Sequence, residues 1–240
     1  MSGDGSGMVF AVDKDLRQDL LARFQADQTV LSSLYASADA LRAEFDRTQG
    51  RTDTPWPFAI LEWEPEDQAP ELVRDALRQV RENSIFLRDL VSKIGWPGRD
   101  LVGEDGADAA WLLLQHAGGG VRTLDSPANR ALRRACVPLL EEAVAQGMAH
   151  PRHLAHTVDG IRSVEGGDPV YAVLSSAFVS DDDGSQLAPG IDEAIIDENR
   201  QRIGLVALTE DIRRRSQGRV PGAALGEQPE PWTEPSKTGG

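Results

Sequence analysis

The sequence predicts a predominantly helical α+β protein: a bundle of about five helices with a small β-hairpin and a closing C-terminal helix. Three observations carry this. Apolar residues recur at three-and-four spacing through several long stretches, as one face of a helix requires. Aromatic residues make up only 5% of the chain, and much of the apolar material is Ala and Leu, which lose little rotamer freedom in a helix. A β-branched, turn-punctuated stretch follows Leu154 and is the one region that reads as strand.

Taken in order, Asp13 to about Phe45 carries Leu16, Leu20, Leu21, Phe24, Val30, Leu31, Leu34 and Leu41 on one helical face. Residues 47–70 are broken by Pro55, Pro57, Pro65 and Pro70 and read as loop, with Phe58–Trp63 as a candidate short strand. Glu71 to Ile94 is a second amphipathic helix, ended by Gly95-Trp96-Pro97-Gly98 because Gly95 suits a left-handed C-cap and Pro97 cannot continue the ladder. Ala107 to Ala117 is apolar on nearly every side, the pattern of a buried helix, and Gly118-Gly119-Gly120 stops it. Ser126 as N-cap and Pro127 at the first position open a fourth helix to Gly147, which Pro138 should kink or split.

Beyond Leu154, Ile161–Val164 and Tyr171–Val179 read as the two strands of a hairpin joined by Glu165–Pro169, with Asp181–Gly184 as a tight acidic turn. A last amphipathic helix is expected over Glu198–Arg215. Residues 1–9 and 218–240 are Gly-, Ser- and Pro-rich, too poor in apolar groups to offset their ordering entropy, and are expected to be dispensable tails around a single globular domain at 10–217.

Charge bounds the partners. Lys and Arg number 25 against 39 Asp and Glu, for a formal net charge of -14. That field repels phosphate backbones and anionic lipid heads, so neither nucleic acid nor a membrane is an expected partner, and neutral or cationic ligands suit it better. One cysteine, Cys136, excludes an intramolecular disulfide and lies in an amphipathic stretch as a buried thiol. No run approaches a membrane span, and a cytoplasmic location is expected.

The chemistry-bearing residues are few. Gln115 and His116 end the apolar helix; the imidazole suits a general acid/base, or else a cation favoured by the helix C-terminus. Asp159 could orient that imidazole, with Tyr171 nearby in a pocket between helix and hairpin, or could simply cap a turn. His150, His153, His156 and Asp159 fall at successive three-residue steps, so neighbours such as His153, His156 and Asp159 are candidate metal ligands, although no cofactor or metal is expected. No serine lies in a nucleophile elbow, and the glycine run lacks a Walker lysine.

Gly95-Trp96-Pro97, Gly103 and Ala109–Ala117 with its Gln115-His116 ending resemble the bacterial family known only as domain of unknown function 6624. Asp27-Gln28, Asn83, Leu154-Ala155, Asp159, Glu165-Gly166, Tyr171, Arg200 and Gly204-Leu205 extend the resemblance over about 16–215. Two places depart from it. The family's Asp-Arg is Asp159-Gly160 here, and its Gln, then Tyr-Gly-Thr-Gln, is Pro169, then Tyr171-Ala172-Val173-Leu174. The family implies no agreed activity. Two functions follow: a small enzyme acting on a neutral or cationic small molecule or peptide through His116, or a non-catalytic interaction protein of regulatory or immunity type, which the missing polar residues favour.

Overall fold

The computed structural model describes residues 12–50, 57–118, 124–181 and 184–216; the expected tails at 1–9 and 218–240 lie outside these. Among the described residues are seven α-helices and one two-stranded antiparallel sheet, as a predominantly helical α+β chain requires. None of these helices is long and apolar enough to cross a membrane.

Helix α1 (Lys14–Gln49) starts at Asp13, whose carboxylate accepts from Leu16 N–H at 3.0 Å and so satisfies one of the free donors of the first turn. It packs along α2 (Glu71–Ile94) and α3 (Arg99–His116). Between α1 and α2 the Pro-rich stretch forms a short 3-10 turn at Phe58–Glu62 rather than a strand. Its apolar residues Ala59, Ile60 and Leu61, with Trp63, are all buried in the second apolar cluster of the bundle, so burial and not strand pairing explains that apolar run.

Helix α3 begins earlier than its apolar run. Gly103 holds φ +74°, which breaks the ladder between a first turn and the straight segment that ends at His116. Gly118, at φ +101°, then turns the chain back; an added Cβ would lie 2.8 Å from the Leu124 carbonyl oxygen, so only glycine fits. Helix α4 (Pro127–Ala145) has Ser126 accepting from Asn129 N–H as foreseen, and it is not split by Pro138. It packs against α5 (Pro151–Val164).

The C-terminal part departs from the sequence reading. Ile161–Val164 is the last turn of α5, not a strand, and Tyr171–Val173 is irregular chain. The hairpin lies later, β1 (Phe178–Asp181) against β2 (Gly184–Leu187), with Phe178 opposite Leu187; residues 182–183 of the expected acidic turn lie outside the described residues. β-branched composition had suggested strands where tertiary contact to a buried carboxylate sets the backbone instead. The closing helix is two helices, α6 (Glu193–Arg202) and α7 (Leu208–Ser216), parted at Gly204 with φ +80°.

Two apolar clusters fill the bundle. The first joins Leu20, Leu87, Trp96, Trp111, Leu113, Leu114, Cys136, Leu140 and Leu154, and the second joins Leu31, Leu34, Phe45, Ile60, Trp63, Val73 and Leu77. The seam between them crosses α1 between Leu20 and Leu31 and α2 between Val80 and Leu87. Trp111 is 6% exposed, within the first cluster. Replacing it with Ala should cost about 3–5 kcal/mol, read as a fall in the urea midpoint at unchanged slope; a midpoint equal to that of the parent would show that the ring carries no packing.

Candidate functional site

At the seam, polar groups from three helices meet on one buried carboxylate. Asp27 of α1 is 0% exposed. Its Oδ1 accepts from Asn83 Nδ2 at 3.2 Å, and its Oδ2 lies 2.6 Å from His116 Nδ1 and 3.5 Å from Gln28 Nε2. Asn83 Oδ1 in turn accepts from Gln79 Nε2 at 3.3 Å, one turn earlier on α2. No Lys or Arg pairs with Asp27 among the described residues. A carboxylate this deep is costly unless donors surround it, and here three side-chain donors do.

This arrangement assigns the imidazole tautomer. A carboxylate can only accept, so His116 Nδ1 carries the proton and donates it to Asp27. In the neutral ring Nε2 is then left with its lone pair. The His116 side chain keeps 16% of its surface exposed, and no protein group among the described residues bonds to Nε2. Tyr35, two turns beyond Asp27 on α1, is held protonated, its pKa pushed up to about 12 by burial and, secondly, by the Asp27 charge.

Of the residues singled out from sequence, His116 is in this site and Gln115 stands beside it, its amide donating to Thr157 Oγ at 3.1 Å on α5. Asp159 and Tyr171 are not partners of the imidazole. Asp159 is buried and accepts from the backbone N–H groups of Val170, Tyr171 and Val173 at 2.8, 3.0 and 2.9 Å. It is a clamp on the irregular chain, whose Ala172 sits at φ +50°. Buried Arg200 completes the clamp, donating to the Tyr171 and Val206 carbonyls at 2.8 Å each and to Asp211 at 3.0 Å. The turn-carboxylate alternative is thus the role Asp159 fills. Asp27 and Asn83 carry no local signal of their own; only their place in the resemblance marked them.

The histidines of α5 do not gather around a metal position: among the described residues, no three His, Cys, Asp or Glu side chains are placed to share an ion. His150 caps α5, its Nδ1 accepting from Arg152 N–H at 3.1 Å. His153 stacks on Trp111, ring centroids 4.6 Å apart, and His156 meets the same indole edge-on at 5.6 Å. His153 Nε2 lies 3.0 Å from Asp108 Oδ1 but off the hydrogen-bond direction, so neither ring nitrogen makes an aligned bond to a protein group. Burial is the main cause that holds all three rings neutral: His150 is lowered to about 4, His156 to about 3, and His153 downward too despite Asp108. Cys136 is buried and free, its thiol pushed up to about 12 by burial.

No protein-family model, curated protein or solved structure matches the chain.

Two outcomes follow. Because the α5 histidines titrate lower when folded than when unfolded, their contribution is full above about pH 6.5 and drains away as pH falls towards 4. The unfolding free energy from urea titrations should therefore decline from pH 6.5 to 5 by about 1–3 kcal/mol per pH unit, and a flat profile would contradict the assignment. Asp159→Ala strands three amide donors and should cost about 3 kcal/mol or more, while leaving the NMR signals of the His116 ring in place. Loss of those signals would tie Asp159 to the imidazole after all.

Proposed function

We propose that Asp27 and His116 form the general acid/base centre of a small enzyme acting on a neutral or cationic small molecule or peptide. The observation that carries this is the 2.6 Å Nδ1–Oδ2 bond, which orients the ring and leaves Nε2 without a partner among the described residues. Proton transfer needs a group that can both accept and donate a proton and that is fixed in tautomer, as this imidazole is. A buried carboxylate against the near side also stabilises the positive charge the ring gains when it takes a proton. Among the described residues Asp27 is the one charged group bonded to the imidazole, and the chain's formal charge is -14, which suits a neutral or cationic substrate.

Asp27, Gln28, Asn83, Gln115 and His116 are all residues on which the resemblance to domain of unknown function 6624 rests, and their meeting supports reading the chain as a divergent relative. Its single, buried thiol suits a cytoplasmic setting. The alternative, a non-catalytic interaction protein, draws on Gly160 in place of the family's Arg and on the apolar residues at 169–174. Of these, Val170, Tyr171 and Val173 are held through their backbone N–H groups by Asp159 and do not bond to His116.

Removing the ring outright would also strip a donor from Asp27, so the informative variant is His116→Gln, which can still donate to the carboxylate but cannot act as a base. It should melt within about 1–2 kcal/mol of the parent and lose about 100-fold or more of its turnover on a panel of neutral and cationic esters, amides and peptides. Nitrogen–proton NMR correlations of the ring should independently show Nδ1 protonated and Nε2 bare. Turnover equal to the parent's, or a ring protonated at Nε2, would reject the catalytic reading in favour of the interaction protein.

A further inference from the structure

We propose that Asn83, held in one orientation by Gln79, is the positioning residue of the Asp27–His116 pair and sets how strongly that pair takes up a proton. This rests on the acid/base reading above and adds to it a neutral polar element on α2.

Hydrogen-bond polarity fixes the orientation of both amides. An ionised carboxylate only accepts, so Asn83 must turn Nδ2 towards Asp27 Oδ1, where it stands at 3.2 Å. Asn83 Oδ1 then faces the other way and requires a donor. Gln79 supplies one, with Nε2 at 3.3 Å. Donors therefore run in one direction, from Gln79 through Asn83 to Asp27. Reversing either amide would set two oxygens or two NH2 groups against each other.

The placement suits a holding role. Residues 79 and 83 lie one turn apart on α2, so their side chains share a face. Asn83 is 1% exposed and falls in the seam between Val80 and Leu87, where water does not replace a lost partner. Gln79 is half-buried, at the outer end of the chain of donors. The carboxylate oxygens are thus divided: Oδ1 takes the amide, and Oδ2 takes the imidazole at 2.6 Å. With Oδ1 held, the carboxylate cannot turn without losing one bond or the other.

A neutral donor also leaves the charge in place. Elsewhere the buried acid Asp211 meets Arg200 at 3.0 Å, so a cation offsets its charge. Asn83 stabilises the Asp27 carboxylate and cancels none of its charge. Without that amide a buried oxygen stands bare, and the pair binds a proton more tightly, whichever partner carries it. The Tyr35 phenol also feels the Asp27 charge. Pushed up to about 12, by burial first and by Asp27 second, it stays neutral through the range in which an imidazole titrates.

The test follows the His116 ring by nitrogen–proton NMR through a pH titration of the full chain. Asn83→Leu keeps the branched shape and removes the donor. The titration midpoint of the ring should rise by about one pH unit, and the acid limb of the pH–rate profile should move with it. Gln79→Leu, at a half-buried position, should shift the midpoint the same way but less. The double variant Gln79→Leu/Asn83→Leu should go no further than Asn83→Leu alone, because Gln79 acts only through Asn83. Should Asn83→Leu not fold, Gln79→Leu decides the matter by itself. A midpoint unmoved in the folded variants, a shift to lower pH, or a double variant that adds the two effects would overturn the proposal. These shifts in a protein that turns over none of the esters, amides and peptides would sink the acid/base reading alone. A parent ring protonated at Nε2 would sink both.

Discussion

The bundle turns on one buried carboxylate. Asp27 sits where the two apolar clusters meet, and its three donors come from its own helix, from α2 and from the end of α3. Each donor is needed, because an ionised or half-satisfied acid in that setting costs several kcal/mol. The rotation of α1 about its axis and the position at which α3 stops are fixed by the same requirement. Gly118, immediately beyond His116, turns the chain away within two residues of the imidazole, its N–H donating to the His116 carbonyl at 2.7 Å. A polar layer between apolar layers thus selects one packing of three helices, while the apolar clusters supply most of the driving force.

Much of the bundle could be read from residue spacing. Glu71–Ile94 was bounded correctly by a proline before it and Gly95 after it, and Ser126-Pro127 marked the start of α4. These are local signals: caps, breakers and a repeating apolar face. The C-terminal part was misread because its local signals conflict with its contacts. Ile161–Val164 looks like strand from composition, yet α5 continues through it, and the chain at 170–173 takes its shape from Asp159 and Arg200, partners up to 29 residues away in sequence. Pairing across such distances leaves no periodic trace.

The site was half legible for a related reason. His116 stands out because a polar pair ending an apolar helix must find partners somewhere. Its real partner lies 89 residues earlier on α1, in a stretch where Asp27 is one acid among many on an amphipathic helix. Only the burial of that position distinguishes it, and burial is a tertiary fact. Asp159 drew attention by its nearness in sequence to the expected hairpin, and its carboxylate proved to be fully engaged by backbone. The four histidines likewise divide by environment and not by spacing: three serve a cap and a core, and one bonds a buried carboxylate.

The clamp built on Asp159 has a consequence for how this sequence can diverge. It grips amide hydrogens at 170, 171 and 173, which every residue except proline presents alike. The loop it shapes can therefore exchange its side chains without losing its path. The tolerance has one narrow point, position 172, where the left-handed backbone and complete burial admit only the smallest residues. Drift in that loop therefore leaves the bundle's seam untouched, whereas a change at Asp27, Asn83 or His116 would alter the packing of three helices and the orientation of the imidazole together.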